Sequence, residues 1–361
     1  MTDLAPTREH AELAASVRNL LERRSDSQAV RRAIEQPAGF DPELWATLCD
    51  QIGVAALAIP EERGGAGFSL VETYVVLEEL GRALTPSPLL ASVVACAALL
   101  HPRSSSLSKG PDPLERIAAG TVATLAWSGV TGPADAAVGV TWSDGALTGS
   151  VSPVLHGDTA EILLVVGQHD EGLGLFSVDP AATGLTRTRV PGMDPTLTFA
   201  HIELDNVKAE TITLDASELL ATVHRVGTLA TAALQVGCAQ RGLDMTVDYT
   251  KQREQFGRPI GSFQALKHRM ADLLVQVQMS RSAAWAAVQA AVEGAANAER
   301  LAAAAGSYCA EAAMAVAAET VQLHGGIAIT WEHDAHLVLK RAQALNQLFG
   351  LPHQQRAALI P

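Results

Sequence analysis

Aromatic side chains are scarce in this chain: seven Phe, five Trp and three Tyr make up 4% of its 361 residues. Its core has to be built from aliphatic residues and alanine, which favours closely packed helices without by itself identifying a bundle. Basic charge is also short. Lys and Arg total 26 against 39 Asp and Glu, a formal charge of −13. That excludes a broad electrostatic footprint for nucleic acid or anionic lipid, so any ligand must be held locally. Four cysteines, Cys49, Cys96, Cys238 and Cys309, lie far apart with no CxxC spacing. They read as reduced, buried thiols of a cytoplasmic protein, not as a disulfide framework or a zinc site. The opening MTDLAPTREHAEL lacks an apolar signal region, and apolar stretches such as VVACAALL are shorter than a bilayer span, so no membrane association is expected.

Two nucleotide signatures are missing as well. No βαβ rhythm runs along the chain, which disfavours a Rossmann fold. The glycines Gly64, Gly65 and Gly67 in EERGGAGFS are not followed by GK[ST], so they read as a tight turn between helices and not as a phosphate cradle.

What is present is an α, β, α order. Residues 1–118 hold helical runs, REHAELAASVRNLLERR, DPELWATLCDQIG, SLVETYVVLEELGRAL and PSPLLASVVACAALL, with Val71, Val75, Val76 and Leu80 on one face of the third. Residues 119–212 hold short β-branched runs broken by Asp144-Gly145, Gly172 and Gly174, as expected of an antiparallel sheet domain. Alternation at Phe199, His201 and Glu203 predicts one wet face. Residues 213–361 return to apolar stripes at helical spacing: Leu229 to Val247, Phe263 to Val277, and Leu301 to Ala312. A fourth helix is expected from Thr330 to Phe349, completing a four-helix bundle. The segment NQLFGLP reads as its end, with Phe349 continuing a stripe of Ala335, Val338, Ala342 and Leu345.

Three stretches carry a family resemblance: LWATLCDQIGVAALAIPEERGGAGFSLVETYVVLEELGRAL, RGLDMTVDYTKQREQFGRPIGSFQALKHRMADL and AAETVQLHGGIAITWEHDAHLVLKRA. Together they resemble the acyl-CoA dehydrogenases over nearly the whole chain. The resemblance implies an α+β chain of the acyl-CoA dehydrogenase fold, with an N-terminal helical domain, a middle antiparallel β domain and a C-terminal four-helix bundle. HGGIAITWEHDAHL most resembles the actinobacterial branch that acts on CoA esters of steroid side chains. In such enzymes a glutamate takes the α-proton of the acyl-CoA, and the β-hydrogen leaves as hydride to FAD.

The resemblance also divides the cofactor between subunits. Arg253 and Phe256 in REQFG, Gln264, and Gln322, Gly325 and Gly326 in QLHGG match positions that meet the pyrophosphate and adenosine of a neighbouring subunit's FAD. A guanidinium suits phosphate oxygens, and glycines admit close backbone approach. Read without the resemblance, both motifs are helix stops. The half serving a chain's own flavin is eroded: SGVTGPAD and PVLHG stand where the family has a TEPGAGSD-like loop and a WITNG-like strand end, with Pro153 and Leu155 replacing tryptophan and threonine. The usual catalytic glutamate falls on Phe349, the alternative base position on Gly227, and an associated arginine on Thr228. Asp334, Glu332 and Glu254 stay open as relocated bases. Glu332, His333 and His336 could suggest a metal, but no HExxH pattern supports one, and a polar helix start contacting a partner reads better.

The resemblance therefore implies a subunit without a catalytic residue of its own. It would complete a partner's FAD within an α2β2 assembly with a homologous acyl-CoA dehydrogenase subunit that holds most of the acyl-CoA. An electron-transfer flavoprotein is the acceptor the family implies. A homomeric enzyme with a relocated base and a non-enzymatic scaffold remain the alternatives.

Overall fold

Helix α1 (Arg8–Arg24) begins at a reciprocal cap, in which the Thr7 side chain accepts the His10 backbone N–H and the His10 ring accepts that of Thr7. A computed structural model describes residues 5–104, 111–133 and 136–360. The first part holds α1, α2 (Ser27–Glu35), α3 (Pro42–Ile52), α4 (Leu70–Ala83), α5 (Leu89–Leu100) and α6 (Pro113–Ala118). Helices α2 and α6 were not expected, although α2 carries Val30, Ala33 and Ile34 at helical spacing. The Gly64–Gly67 segment is a turn, as expected: Gly64 has φ 78°, and a Cβ on Gly65 would lie 1.9 Å from the Ile59 carbonyl oxygen.

The middle part is a sheet of β1 (Ala123–Ala126), β2 (Val140–Ser143), β3 (Ala146–Leu155), β4 (Ile162–His169), β5 (Gly172–Val178), β6 (Leu185–Val190) and β7 (Phe199–Thr213). The strand order is β1-β4-β2-β3-β7-β5, with β6 beside β7, and β5 also pairs with β4. Five of the sheet's seven strand pairings among the described residues are antiparallel, as expected, and two are parallel. β1 pairs with β4 in parallel over four residues, and β2 meets β4 in parallel at Thr141 and Gln168. Hairpin turns fix only sequence neighbours as antiparallel, and the β2–β3 hairpin separates β1 from β4 in the chain. The wet face is present: Glu203 is exposed while Ala200, Ile202 and Leu204 are buried.

The last part packs α7 (Ser217–Gln252), α8 (Gln264–Val292), α9 (Ala298–His324) and α10 (Ala335–Leu345), followed by α11 (Pro352–Ala357). A two-strand ribbon, β8 (Glu254–Gln255) and β9 (Arg258–Pro259), joins α7 to α8. The expected fourth long helix is only 11 residues. Before it, the Asp334 carboxylate accepts bonds from Ser27 (2.7 Å), Arg31 (2.6 Å) and Arg241 (3.2 Å), which fixes the chain in a turn. After it, Phe349 leaves the helix altogether, and Pro352 starts a new one instead of only ending the old.

Helices α4 and α7 cross in close contact at reciprocal glycines. A Cβ on Gly81 would lie 2.4 Å from the Leu234 carbonyl oxygen, and one on Gly237 would lie 1.9 Å from that of Glu78. This crossing sets the position of α7, on which the candidate site is built. One apolar cluster runs from α1 through β1 and the first half of α7 to Phe349, so the three parts share a core. A buried Arg341–Asp194 pair (2.8 Å; exposures 1% and 0%) ties α10 to the loop before β7. By length and composition, α9 and the turn after it could cross a bilayer, but 56% of the most apolar window is buried in the protein. Its apolarity serves the bundle.

Candidate functional site

Phe349 and Gly227, the two positions expected to bear a catalytic carboxylate in this family, face each other. Phe349 is 0% exposed, just past the end of α10, and its ring lies against Gly227 of α7. It does not continue the α10 stripe as a helical residue. Its φ is 52°, and Gly350 follows at 93°, so the chain makes a left-handed corner. The Phe349 N–H donates to the Val130 carbonyl (2.8 Å), and the Phe349 carbonyl accepts from Gln355 Nε2 (3.0 Å). His224 meets the ring edge-on at 5.9 Å, and Trp127 meets His224 at 6.2 Å. Thr228, at the expected arginine position, is buried and donates to the His224 carbonyl (2.9 Å).

Chemically this corner has little to offer. A backbone N–H aimed at a thioester oxygen could polarise it, but the Phe349 N–H is already bonded to Val130. The strand end PVLHG is buried from Val154 to Gly157. His156 there has no partner for Nδ1 among the described residues, and burial pushes its pKa down to about 4. Of SGVTGPAD, Ala134 and Asp135 lie outside the described residues, and Ser128–Val130 form a short 3₁₀ turn.

The opposite end of α7 is open. Arg253, Phe256, Gln264, Gln322, Gly325 and Gly326 are all exposed. Arg253 forms no ion pair among the described residues. Phe256 is 92% exposed at the tip of the β8–β9 ribbon, with φ 54°, followed by Gly257 at 76°. That two-residue turn needs positive φ twice, which glycine and asparagine supply easily and phenylalanine does not. Both its conformation and its exposure count against Phe256 in the isolated chain. QLHGG reaches the same end, because His324 stacks on Tyr249 at 4.4 Å near the close of α7. Gly325 has φ 64° and ψ −144°, and a Cβ on Gly325 or Gly326 would meet nothing within 4 Å. The chain's own packing gives no reason for the second glycine. The Arg253 end is thus open to solvent, whereas the Phe349 ring fills the space beside Gly227.

The candidate relocated bases lie far from the corner. Asp334 is held below the usual carboxylate range by its bonds to Ser27 and Arg31, against the opposing effect of burial. It sits beside Arg241, about 20 Å along α7 from Gly227, and Glu254 is about 40 Å along, at 1.5 Å per residue. Glu332 neighbours Asp334. His333 packs on His324 (4.6 Å) and His336 on Trp331 (5.0 Å), so the two rings have different partners. At the helix start expected to contact a partner, Asp334 is bound within the chain to α2 and α7, while Ile329 and Trp331 beside it are exposed. The four cysteines are buried and free, with burial pushing each thiol up to about 12. Sequence reasoning missed an apolar cavity of about 310 Å³ lined by Leu70, Leu89, Val93, Cys96, Thr222 and Val226. Its wall comes from α4, α5, α7 and the 54–59 segment after α3, so no local motif marks it.

Residues 7–103 match the acyl-CoA dehydrogenase N-terminal domain and residues 221–358 the C-terminal domain. The chain belongs to the acyl-CoA dehydrogenase family. It is similar to acyl-CoA dehydrogenase IpdE2 of Mycolicibacterium smegmatis, with 40% identity over 95% of each chain. It is also similar to IpdE2 of Mycobacterium tuberculosis, with 38% identity over 97% of this chain and 96% of the other. Among solved structures, the Tcur3481–Tcur3483 steroid ACAD aligns with TM-score 0.86 and 30% identity, covering 97% and 96% of the two chains. The ChsE4–ChsE5 complex from Mycobacterium tuberculosis aligns with TM-score 0.87 and 28% identity, covering 99% and 98%.

Proposed function

We propose that this chain is the subunit without a catalytic base in a heteromeric, FAD-dependent acyl-CoA dehydrogenase, an α2β2 assembly that desaturates the CoA ester of a steroid side chain. The observation that carries this reading is the corner, where a phenyl ring occupies the space between the two base positions and neither bears a carboxylate. In the assembly, Arg253 binds the pyrophosphate of the partner's FAD, Phe256 and Gln264 border it, and Gln322, Gly325 and Gly326 let the backbone approach the nucleotide end. FAD bound there would supply the hydride-accepting redox chemistry. The partner supplies the glutamate and most of the acyl-CoA pocket. The bareness of Phe256 and Arg253 supports a surface completed by another chain. Similarity to a steroid ACAD and to a two-protein complex supports the heteromer and the substrate class. An electron-transfer flavoprotein is the acceptor on this reading, and the location is the cytoplasm.

Flavin content per chain, read by absorbance after denaturation, tests the proposal. The chain alone should carry little FAD, and the chain expressed with its partner should carry about one FAD per two chains. One FAD per chain in the isolated protein would overturn the reading.

A further inference from the structure

We propose that Phe349 and Gly227 form one steric unit that keeps this chain's own thioester site shut, so that Phe349 determines which subunit of the assembly can take an acyl-CoA. This rests on the half-site reading above. An ideal Cβ at position 227 would lie 2.3, 2.4 and 2.5 Å from Cε1, Cζ and Cδ1 of the Phe349 ring. No side chain other than hydrogen fits there while the ring is present.

The ring has no easy way out. Its backbone is bonded on both sides, to the Val130 carbonyl through N–H and to Gln355 through C=O, and Gln355 Nε2 also reaches the Gly350 carbonyl at 3.1 Å. Gln355 is seated in turn over Gly306, where a Cβ would come within 2.2 Å of its Oε1. Helix α11 therefore bolts the left-handed corner against α9. On the other side, His224 is held by the Gly132 carbonyl, which accepts from its Nε2 at 3.2 Å, and backs the ring edge-on. A left-handed phenylalanine is costly, and these contacts hold Phe349 in that conformation. Phe349 is thus a positioning residue that excludes ligand. A group can enter at position 227 only after the ring has gone, whereas position 349 can be emptied by itself.

The test is a double-mutant cycle of Gly227→Ala and Phe349→Ala in the full chain, co-purified with its partner, with two readouts: the thermal midpoint, and the number of hexanoyl-CoA molecules bound per complex by calorimetry. Gly227→Ala should lower the midpoint sharply while the phenyl ring is present and hardly at all in the Phe349→Ala background. Should Gly227→Ala fail to fold alone, rescue in the double variant is the same expected coupling. Hexanoyl-CoA should bind once per two chains in the wild type and rise toward one per chain with Phe349→Ala, a change that a purely structural residue would not produce. Additive midpoint losses, or coupled losses with unchanged stoichiometry, overturn this inference alone. One hexanoyl-CoA and one FAD per chain in the wild type would overturn both it and the half-site reading.

Discussion

The two ends of α7 have been treated in opposite ways. Near its start the helix meets a filled corner in which Phe349, His224 and Trp127 pack edge to edge over a glycine. At its close it presents a bare arginine, a phenylalanine exposed on a strained turn, and glycines with nothing beside them. An apolar side chain that fills such a corner gains stability by its burial. An exposed phenylalanine at positive φ is, by contrast, costly in the isolated chain. On the reading proposed above, this contrast is what separates the end that serves a partner from the end that serves the fold.

The strongest way to break the contrast is to put a carboxylate into the closed corner. Phe349→Glu should lose the packing of the ring and leave a carboxyl among apolar neighbours, destabilising the chain by at least about 3–5 kcal/mol in urea unfolding. It should also show no acyl-CoA-dependent flavin bleaching, because Pro153, Leu155 and Thr228 remain; substantial turnover from that one change would refute the account of the corner.

A somewhat smaller effect is expected from pH on the same side of the molecule. His156 titrates near 6.5 when unfolded and at about 4 when folded, so between these values the unfolded chain takes up a proton that the native one refuses. Its stabilising contribution is complete above pH 6.5 and is lost as pH falls to about 4, by about 3 kcal/mol at most. Unfolding free energies across that window should slope for the wild type, and His156→Asn should remove this part of the slope.

At the open end, Arg253→Ala should weaken FAD retention by the assembly by about 1.5–3 kcal/mol, the worth of a hydrogen bond to a charged group, while leaving the subunit contact intact. Unchanged FAD affinity would sink the cross-interface assignment. The smallest change is expected from Phe256→Asn in the isolated chain. An asparagine suits the turn, so stability should stay within about 0.5 kcal/mol of wild type or rise. In the assembly, the same variant should lose FAD faster on gel filtration, and a large stability loss in the isolated chain would show that Phe256 serves its own fold.

Much of this is legible in the order of residues alone. The long stripes of α7, α8 and α9 are readable because they run for many turns and each turn repeats the signal. The motifs around Arg253 and Gly325 are readable because each is contiguous. The brevity of α10 is not, because apolar spacing continues through Phe349 although the backbone does not remain helical. Asp334 is equally opaque: three side chains from α2 and α7 hold it, and nothing near it in the chain names them.

The sequence by itself determined which side chains stand at positions 349, 227 and 253, and therefore that no carboxylate is available at either expected base position. It also determined the α, β, α order, since periodicity and turn chemistry are local. Only the tertiary structure decided that the Phe349 ring lies on Gly227, that its N–H is spent on Val130, and that β1 runs parallel to β4. Those outcomes depend on how distant segments pack, and contacts between segments far apart in the chain leave no trace in local spacing.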